Sequence, residues 1–120
     1  MITEDYVSFE VAKLLKEKGF DERGLCVYTI EEERFYTFGD WVENSCLLPN
    51  LISAPTHQMV LKWLRETYNF IILVEYDIFS DKFYCYIRKR LSDYIIPTDS
   101  YDSYEQTVES AIKYCLENLV

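Results

Sequence analysis

Phe83-Tyr84-Cys85-Tyr86-Ile87-Arg88 is the stretch whose reading decides the fold. Side chains along a β-strand alternate between two faces, so Phe83, Cys85 and Ile87 share one face and Tyr84, Tyr86 and Arg88 the other. The first set belongs in a core. The second is amphipathic aromatic with a cation, a composition favoured where a surface meets a partner. The chain as a whole is rich in this residue type, with 11 tyrosines in 120 residues. The expectation is a sheet with one face built for packing and one for contact. Tyr84, Tyr86, Arg88 and, past the strand, Arg90 form the candidate interaction face.

Working outward, residues 70–76 and 82–89 predict a hairpin around Asp77-Ile78-Phe79-Ser80-Asp81, and Ile95-Ile96 a short edge strand before Pro97. An earlier hairpin is predicted from residues 25–30 and 34–38, around Glu31-Glu32-Glu33. Residues 39–54 read as irregular but carry Trp41, Cys46, Leu47, Leu48, Leu51 and Ile52. So many apolar residues predict a segment packed over the core, with room for a short strand or turn.

Three helices complete the pattern. Ser8 can cap the first, whose stripe is Val11, Leu14 and Leu15 and which Gly19 closes; Thr3 is a second candidate cap. The next begins near Thr56, after Pro55, with Val60, Trp63, Leu64 and Tyr68 at helical spacing and Asn69 suited to a left-handed exit. Ser103 opens the last, with Gln106 at capping-box spacing and Val108, Ala111, Ile112, Cys115 and Leu119 facing inward. The expected fold class is α+β, ordered helix-hairpin-helix-hairpin-helix. Its mainly antiparallel sheet has about four strands, with helices mostly on one face, in a single domain over residues 1–120. Val11-Ala12-Lys13-Leu14-Leu15-Lys16-Glu17 also echoes Val60-Leu61-Lys62-Trp63-Leu64-Arg65-Glu66, which suggests a duplicated helix-hairpin unit.

A net charge of −9 and a pI near 4.5 count against general binding to nucleic acid or to an anionic membrane. The longest apolar block, Phe70-Ile71-Ile72-Leu73-Val74, is too short to span a bilayer. No N-terminal stretch has the form of a secretion signal. With Cys26, Cys46, Cys85 and Cys115 widely spaced, free thiols and a cytoplasmic setting are expected.

Ser53-Ala54-Pro55-Thr56-His57-Gln58-Met59-Val60-Leu61-Lys62-Trp63-Leu64-Arg65-Glu66 resembles a family of small uncharacterised proteins from gut anaerobic bacteria and their phages and mobile elements. The ending, Tyr104-Glu105 through Ala111-Ile112-Lys113-Tyr114-Cys115-Leu116-Glu117-Asn118-Leu119, is similar to the same family, as is the opening Val7-Ser8-Phe9-Glu10-Val11-Ala12-Lys13-Leu14-Leu15-Lys16-Glu17-Lys18-Gly19-Phe20. The likeness covers the three helices well and the hairpins poorly, members differing most over residues 21–50. It implies a prophage or mobile-element origin and brings no activity, cofactor or catalytic residue with it.

The chemical motifs are sparse. His57 is the only histidine, and its neighbours Thr56 and Gln58 are poor bases and poor ligands, so a polar helix-start residue is expected. The cysteine spacings match no compact zinc pattern, and Cys85 and Cys115 read as small buried hydrophobes. Asp77 with Asp81, and Asp99 with Asp102, fit turn chemistry. With three glycines in the chain there is no phosphate-cradling loop. No metal or cofactor is expected, and no constellation of acid, base and nucleophile points to an enzyme. The functional expectation is a non-enzymatic accessory protein acting by protein–protein contact, with an unidentified partner or with a second copy of itself. A small nucleic-acid-binding protein using the Tyr84/Tyr86/Arg88 face is the alternative, since stacking rings beside cations suit single strands. An acidic inhibitor of a host nucleic-acid enzyme is a third reading.

Overall fold

Helix signals and strand signals settle into alternating runs along the chain. The order is α1 (Phe9–Glu17), β1 (Gly24–Thr29), β2 (Phe35–Val42), β3 (Leu51–Ser53), α2 (His57–Tyr68), β4 (Phe70–Asp77), β5 (Lys82–Lys89), β6 (Ile95–Pro97) and α3 (Tyr104–Tyr114). The structure, a computed structural model, describes residues 2–120 apart from the side chains of residues 38–42. Trp41, expected to pack over the core, falls outside the described side chains. The fold class is α+β, as expected.

The sheet is where the expectation needs correcting. In place of one sheet of about four strands with helices mostly on one face, there are two three-stranded antiparallel sheets, ordered β2-β1-β3 and β4-β5-β6. The chain divides accordingly into two compact units, Met1–Thr56 and His57–Val120. Each predicted hairpin recruits a third strand from the segment that follows it. β6 forms where the short strand at Ile95-Ile96 is expected, and β3 falls in the segment with room for one, but at three residues each neither displays an alternation that shows which sheet it joins. The segment after the first hairpin is also less irregular than expected, because β2 runs on to Val42 and a 3-10 turn at Asn44–Cys46 precedes β3. The units are not wired alike: the first strand is central in one sheet and the second in the other, so the duplication suggested by the helices is not reflected in strand order.

In the first unit, Ser8 is the cap that forms: its Oγ accepts from the Val11 amide at 3.2 Å. Gly19 closes α1 at φ +87°, a conformation that a side chain would strain. Val11, Ala12 and Leu15 are buried, together with Val27, Leu51 and Ile52 of the sheet, while Leu14, expected in the stripe, is only half-buried. Asn44 pins the connection between β2 and β3, its amide donating to the Phe20 carbonyl at 2.9 Å while its Oδ1 accepts from the Ser53 amide at 2.8 Å.

In the second unit, α3 packs against β5 and β4, and α2 packs against β4 and α3. Ser103 caps α3, accepting from the Gln106 amide at 3.1 Å. Val108, Ala111, Ile112 and Cys115 are buried as the periodicity predicts, and so is Trp63 on α2, but Leu119 is only half-buried and Leu116 takes its place in a π-helical turn over Cys115–Leu119. Asn69 makes the left-handed exit from α2 at φ +63°.

Candidate interaction surface

Strand alternation divides β5 as its sequence demands. Cys85 and Ile87 are fully buried on the side covered by α3, where the Cys85 thiol lies 3.8 Å from the Thr107 carbonyl and Phe83 meets Tyr104 edge-on at 6.2 Å. Tyr84, Tyr86 and Arg88 point to the opposite side. Register places Glu75 beside Tyr84, Leu73 and Pro97 beside Tyr86, and Ile71 and Ile95 beside Arg88. These residues form one continuous outer face. Leu73 and Ile95 are exposed at 42% and 43%, and the two tyrosines are half-buried. Their rings support one another edge-on, 5.5 Å apart with planes at 82°. Desolvation raises the Tyr84 phenol above its ordinary pKa, and the neighbouring Tyr86 adds to the shift.

The face is graded in charge. At the β4–β5 turn, its edge carries Glu75 and Asp77, with Lys82 opposite Asp77 in the register and paired to Asp102 at 3.3 Å. Asp77 folds the turn by accepting from the Phe79 amide at 3.0 Å and the Ser80 hydroxyl at 2.9 Å, which also hold its carboxyl below the usual range. Asp81 accepts from the Tyr76 hydroxyl at 2.9 Å, and that bond is the main cause of a raised Tyr76 phenol. The turn therefore presents a fixed tip on which Ile78 and Phe79 stand 74% and 98% exposed. At the opposite end sits Arg88. Beyond it Arg90, whose amide donates to the Asn69 carbonyl at 2.8 Å, joins Arg65, Glu66, Asn69 and Ile71 around an open cleft of about 440 Å³.

The structure thus brings Tyr84, Tyr86 and Arg88 together and sets Arg90 apart at the rim of the cleft. The basic run Arg88-Lys89-Arg90 does not form one patch, because Lys89 turns to the helix side, its Nζ 5.9 Å from the centre of the Phe70 ring. Sequence reasoning overlooked the Ile78-Phe79 tip and the cleft. Two apolar residues bracketed by aspartates in a turn were the available signal for the tip. The cleft had none, because its walls come from α2, β4 and the end of β5.

His57 is more than a polar helix-start residue. It is 7% exposed and its Nε2 lies 2.6 Å from Oε2 of Glu109 on α3. That short contact ties the start of α2 to α3 inside the second unit. Cys85 and Cys115 are buried as expected. Burial pushes their thiols up to about 11 and about 12, with Cys85 adding to the shift of Cys115. Asp77 and Asp81 serve the turn as described, and Asp102 pairs with Lys82 at 3.3 Å. Among the described residues no group of three or more His, Cys, Asp or Glu side chains is placed to hold a metal ion, and no helix is long and apolar enough to cross a membrane. Comparison with protein-family models, with curated proteins and with solved structures finds no match to this chain.

Proposed function

We propose that this chain is a non-enzymatic, cytoplasmic accessory protein of phage or mobile-element origin that works by protein–protein contact through the outer face of β4-β5-β6. One observation carries the reading. Leu73, Tyr84, Tyr86 and Ile95 share a face that neither helix of their own unit covers, and apolar and aromatic area of this kind stabilises a complex when a partner removes it from water. Tyrosine suits the role because its ring supplies area at small entropic cost while its hydroxyl bonds at the rim. The origin rests on the resemblance of the three helical segments alone.

The nucleic-acid alternative finds less support. A single strand needs a run of cations along its backbone, and here Lys89 points away, Lys82 is paired with Asp102, and Glu75 and Asp77 occupy the same face as Arg88. A photo-cross-linking amino acid in place of Tyr86, in cells expressing the chain, separates the two. Protein adducts are expected at position 86, with none when the cross-linker replaces exposed Lys16 on α1. Adducts to nucleic acid, or no adducts at position 86, would overturn the reading.

A further inference from the structure

β4 is a sheet edge without the usual protection. Successive residues of a strand direct their amides and carbonyls to alternate edges, and the Arg90 amide donates to the Asn69 carbonyl at 2.8 Å. In the unbroken register that follows, Ile71, Leu73, Glu75 and Asp77 bond to β5, while Phe70, Ile72, Val74 and Tyr76 turn their backbone groups outward. Among the described residues nothing is bonded to those outward groups. The other edges are blunted. β3 and β6 are three residues long, β6 carries Pro97, and the pairing of β2 with β1 slips between Gly24 and Cys26. Short strands, proline and bulges are the devices that keep edges from pairing. β4 has eight residues, no proline, no lysine and no bulge, and its charges, Glu75 and Asp77, lie at one end. Burial agrees. On the helix-covered side Cys85 and Ile87 are fully buried, whereas their register partners Val74 and Ile72 are only half-buried. On the other side Leu73 is 42% exposed. From these placements we infer that β4 pairs edge to edge with β4 of a second copy, antiparallel about a two-fold axis. The two β4-β5-β6 sheets then form one sheet of six strands, three from each copy. The pairing does not use the outer face, so it goes beyond the interaction reading above and does not depend on it.

A second copy fits because the strand is its own complement. Reversal about Leu73 sets Phe70 of one copy opposite Tyr76 of the other, Ile72 opposite Val74, and Leu73 opposite Leu73. This register engages every outward-bonding residue of both copies, for about eight backbone hydrogen bonds. A slip of two residues either way would lose one of the pairs. Aromatic meets aromatic and β-branched meets β-branched, combinations that stabilise antiparallel sheets. No like charges meet across the seam. Glu75 lies opposite Ile71 and Asp77 opposite Asn69, and the next residues inward are Arg88 and Arg90. Lys82, beside Asp77, is held by Asp102, so Glu75, Asp77, Asp81 and Asp102 outweigh it and that end stays acidic. At the other end Arg65 and Glu66 of α2 offset one another, leaving Arg88 and Arg90 to keep it basic. Each copy's acidic end therefore runs beside the other's basic end. Pairing also stops at two copies. The joined sheet ends on β6 at both sides, and β6 is short and carries Pro97.

The test uses the whole chain in sedimentation equilibrium. Wild type should be a dimer at micromolar concentration. Leu73→Lys and Leu73→Glu each set like charges opposite one another across the axis, so each should raise the dimer dissociation constant by roughly tenfold or more. Leu73 is an exposed side chain, so both variants should keep the wild-type circular dichroism. An equimolar mixture of the two should recover the dimer, because lysine then faces glutamate. Tyr84→Glu with Tyr86→Glu lies off the edge and should remain dimeric. Hydrogen exchange reads the seam directly: the Ile72 and Val74 amides should be protected in wild type and exchange freely in Leu73→Lys. A monomeric wild type, a dimer that tolerates both Leu73 variants, or a mixture no tighter than its parts would overturn the pairing. So would loss of the dimer in the tyrosine variant, or free exchange of the two amides in wild type. A monomeric wild type that still yields protein adducts at position 86 removes the pairing and keeps the outer-face reading. A dimer with protected amides and no adducts at position 86 keeps the pairing and removes that reading.

Discussion

Cys85 and Tyr86 are neighbours on one strand and live in different solvents. Cys85 is fully buried under α3, while Tyr86 lies in a face where Leu73 and Ile95 remain more than two-fifths exposed. The contrast recurs between buried Ile87 and exposed Arg88 and shows how a short sheet divides its work. One face stabilises the unit, the other is left for contact, and a shift of register by a single residue would exchange them. Changes on the covered face should cost stability, and changes on the open face should cost association alone.

Thiol chemistry should show the largest difference. Exposed Cys46 should react with an aromatic disulfide reagent at the rate of a free thiol. Cys85 and Cys115 need their unit to open before thiolate can form, so in native protein they should react more than about a thousandfold slower, as opening free energies of several kcal/mol imply. Counting released thiolate against time checks this. Linkage gives the pH dependence. The folded-state values of about 11 and about 12 exceed the ordinary 9.0, so above pH 9 the unfolded chain releases protons first. These thiols therefore withdraw stability as pH rises from about 9 toward 11, and contribute no slope below that window.

Core truncations under the same face come next. Trp63→Ala should cost ~3–5 kcal/mol, and Ile112→Ala ~2–5 kcal/mol because the cavity left at a fully buried site cannot fully collapse. Urea titration with an unchanged slope would register both as losses of stability. A Trp63→Ala variant melting within a few degrees of the parent would mean that this side chain contributes little to the core.

The sequence showed what is local and periodic. The caps at Ser8 and Ser103, the exit at Asn69 and the facing of β5 each depend on residues close in sequence, and each formed as read, whereas the stripes formed in part: Ala12 is buried in place of Leu14 on α1, and Leu116 in place of Leu119 after α3, where the chain is π-helical over Cys115–Leu119. What it hid is distant or too short to show a period. Glu109 lies 52 residues beyond His57, and no local pattern links them. The short strand at Ile95-Ile96 was legible, but β3 and β6 have three residues apiece, too few for a period that would show the strands parting into two sheets. The candidate face divides along the same line. Tyr84, Tyr86 and Arg88 were legible from alternation, while Arg90's companions in the cleft come from two other elements.

Ser103→Ala should have a smaller effect. It leaves the Gln106 amide without its 3.1 Å acceptor, at the exposed start of a helix where water can substitute, so the cost should be about 1 kcal/mol. Thermal melts should place it well below Ile112→Ala. A loss as large as that of the core variant would mean that the first turn of α3 nucleates the unit's packing.

Substitutions on the open face should have the smallest effect on the fold, and this prediction tests the comparison most directly. Tyr84→Glu with Tyr86→Glu places two carboxylates where neither helix of the unit reaches, one of them beside Glu75 in the register. The cost is the lost edge-on ring contact and one like-charge neighbour. Surface changes of this kind usually fall within about 0.5 kcal/mol each, so the variant should melt within a few degrees of wild type. Its association with a partner should nevertheless be abolished, because a complex closing over this face would bury both carboxylates without partners. Circular dichroism melts and co-sedimentation with that partner separate the two effects. An unfolded double variant would show that the tyrosine face is part of the core after all, and the division of β5 into a structural side and a contact side would then be wrong.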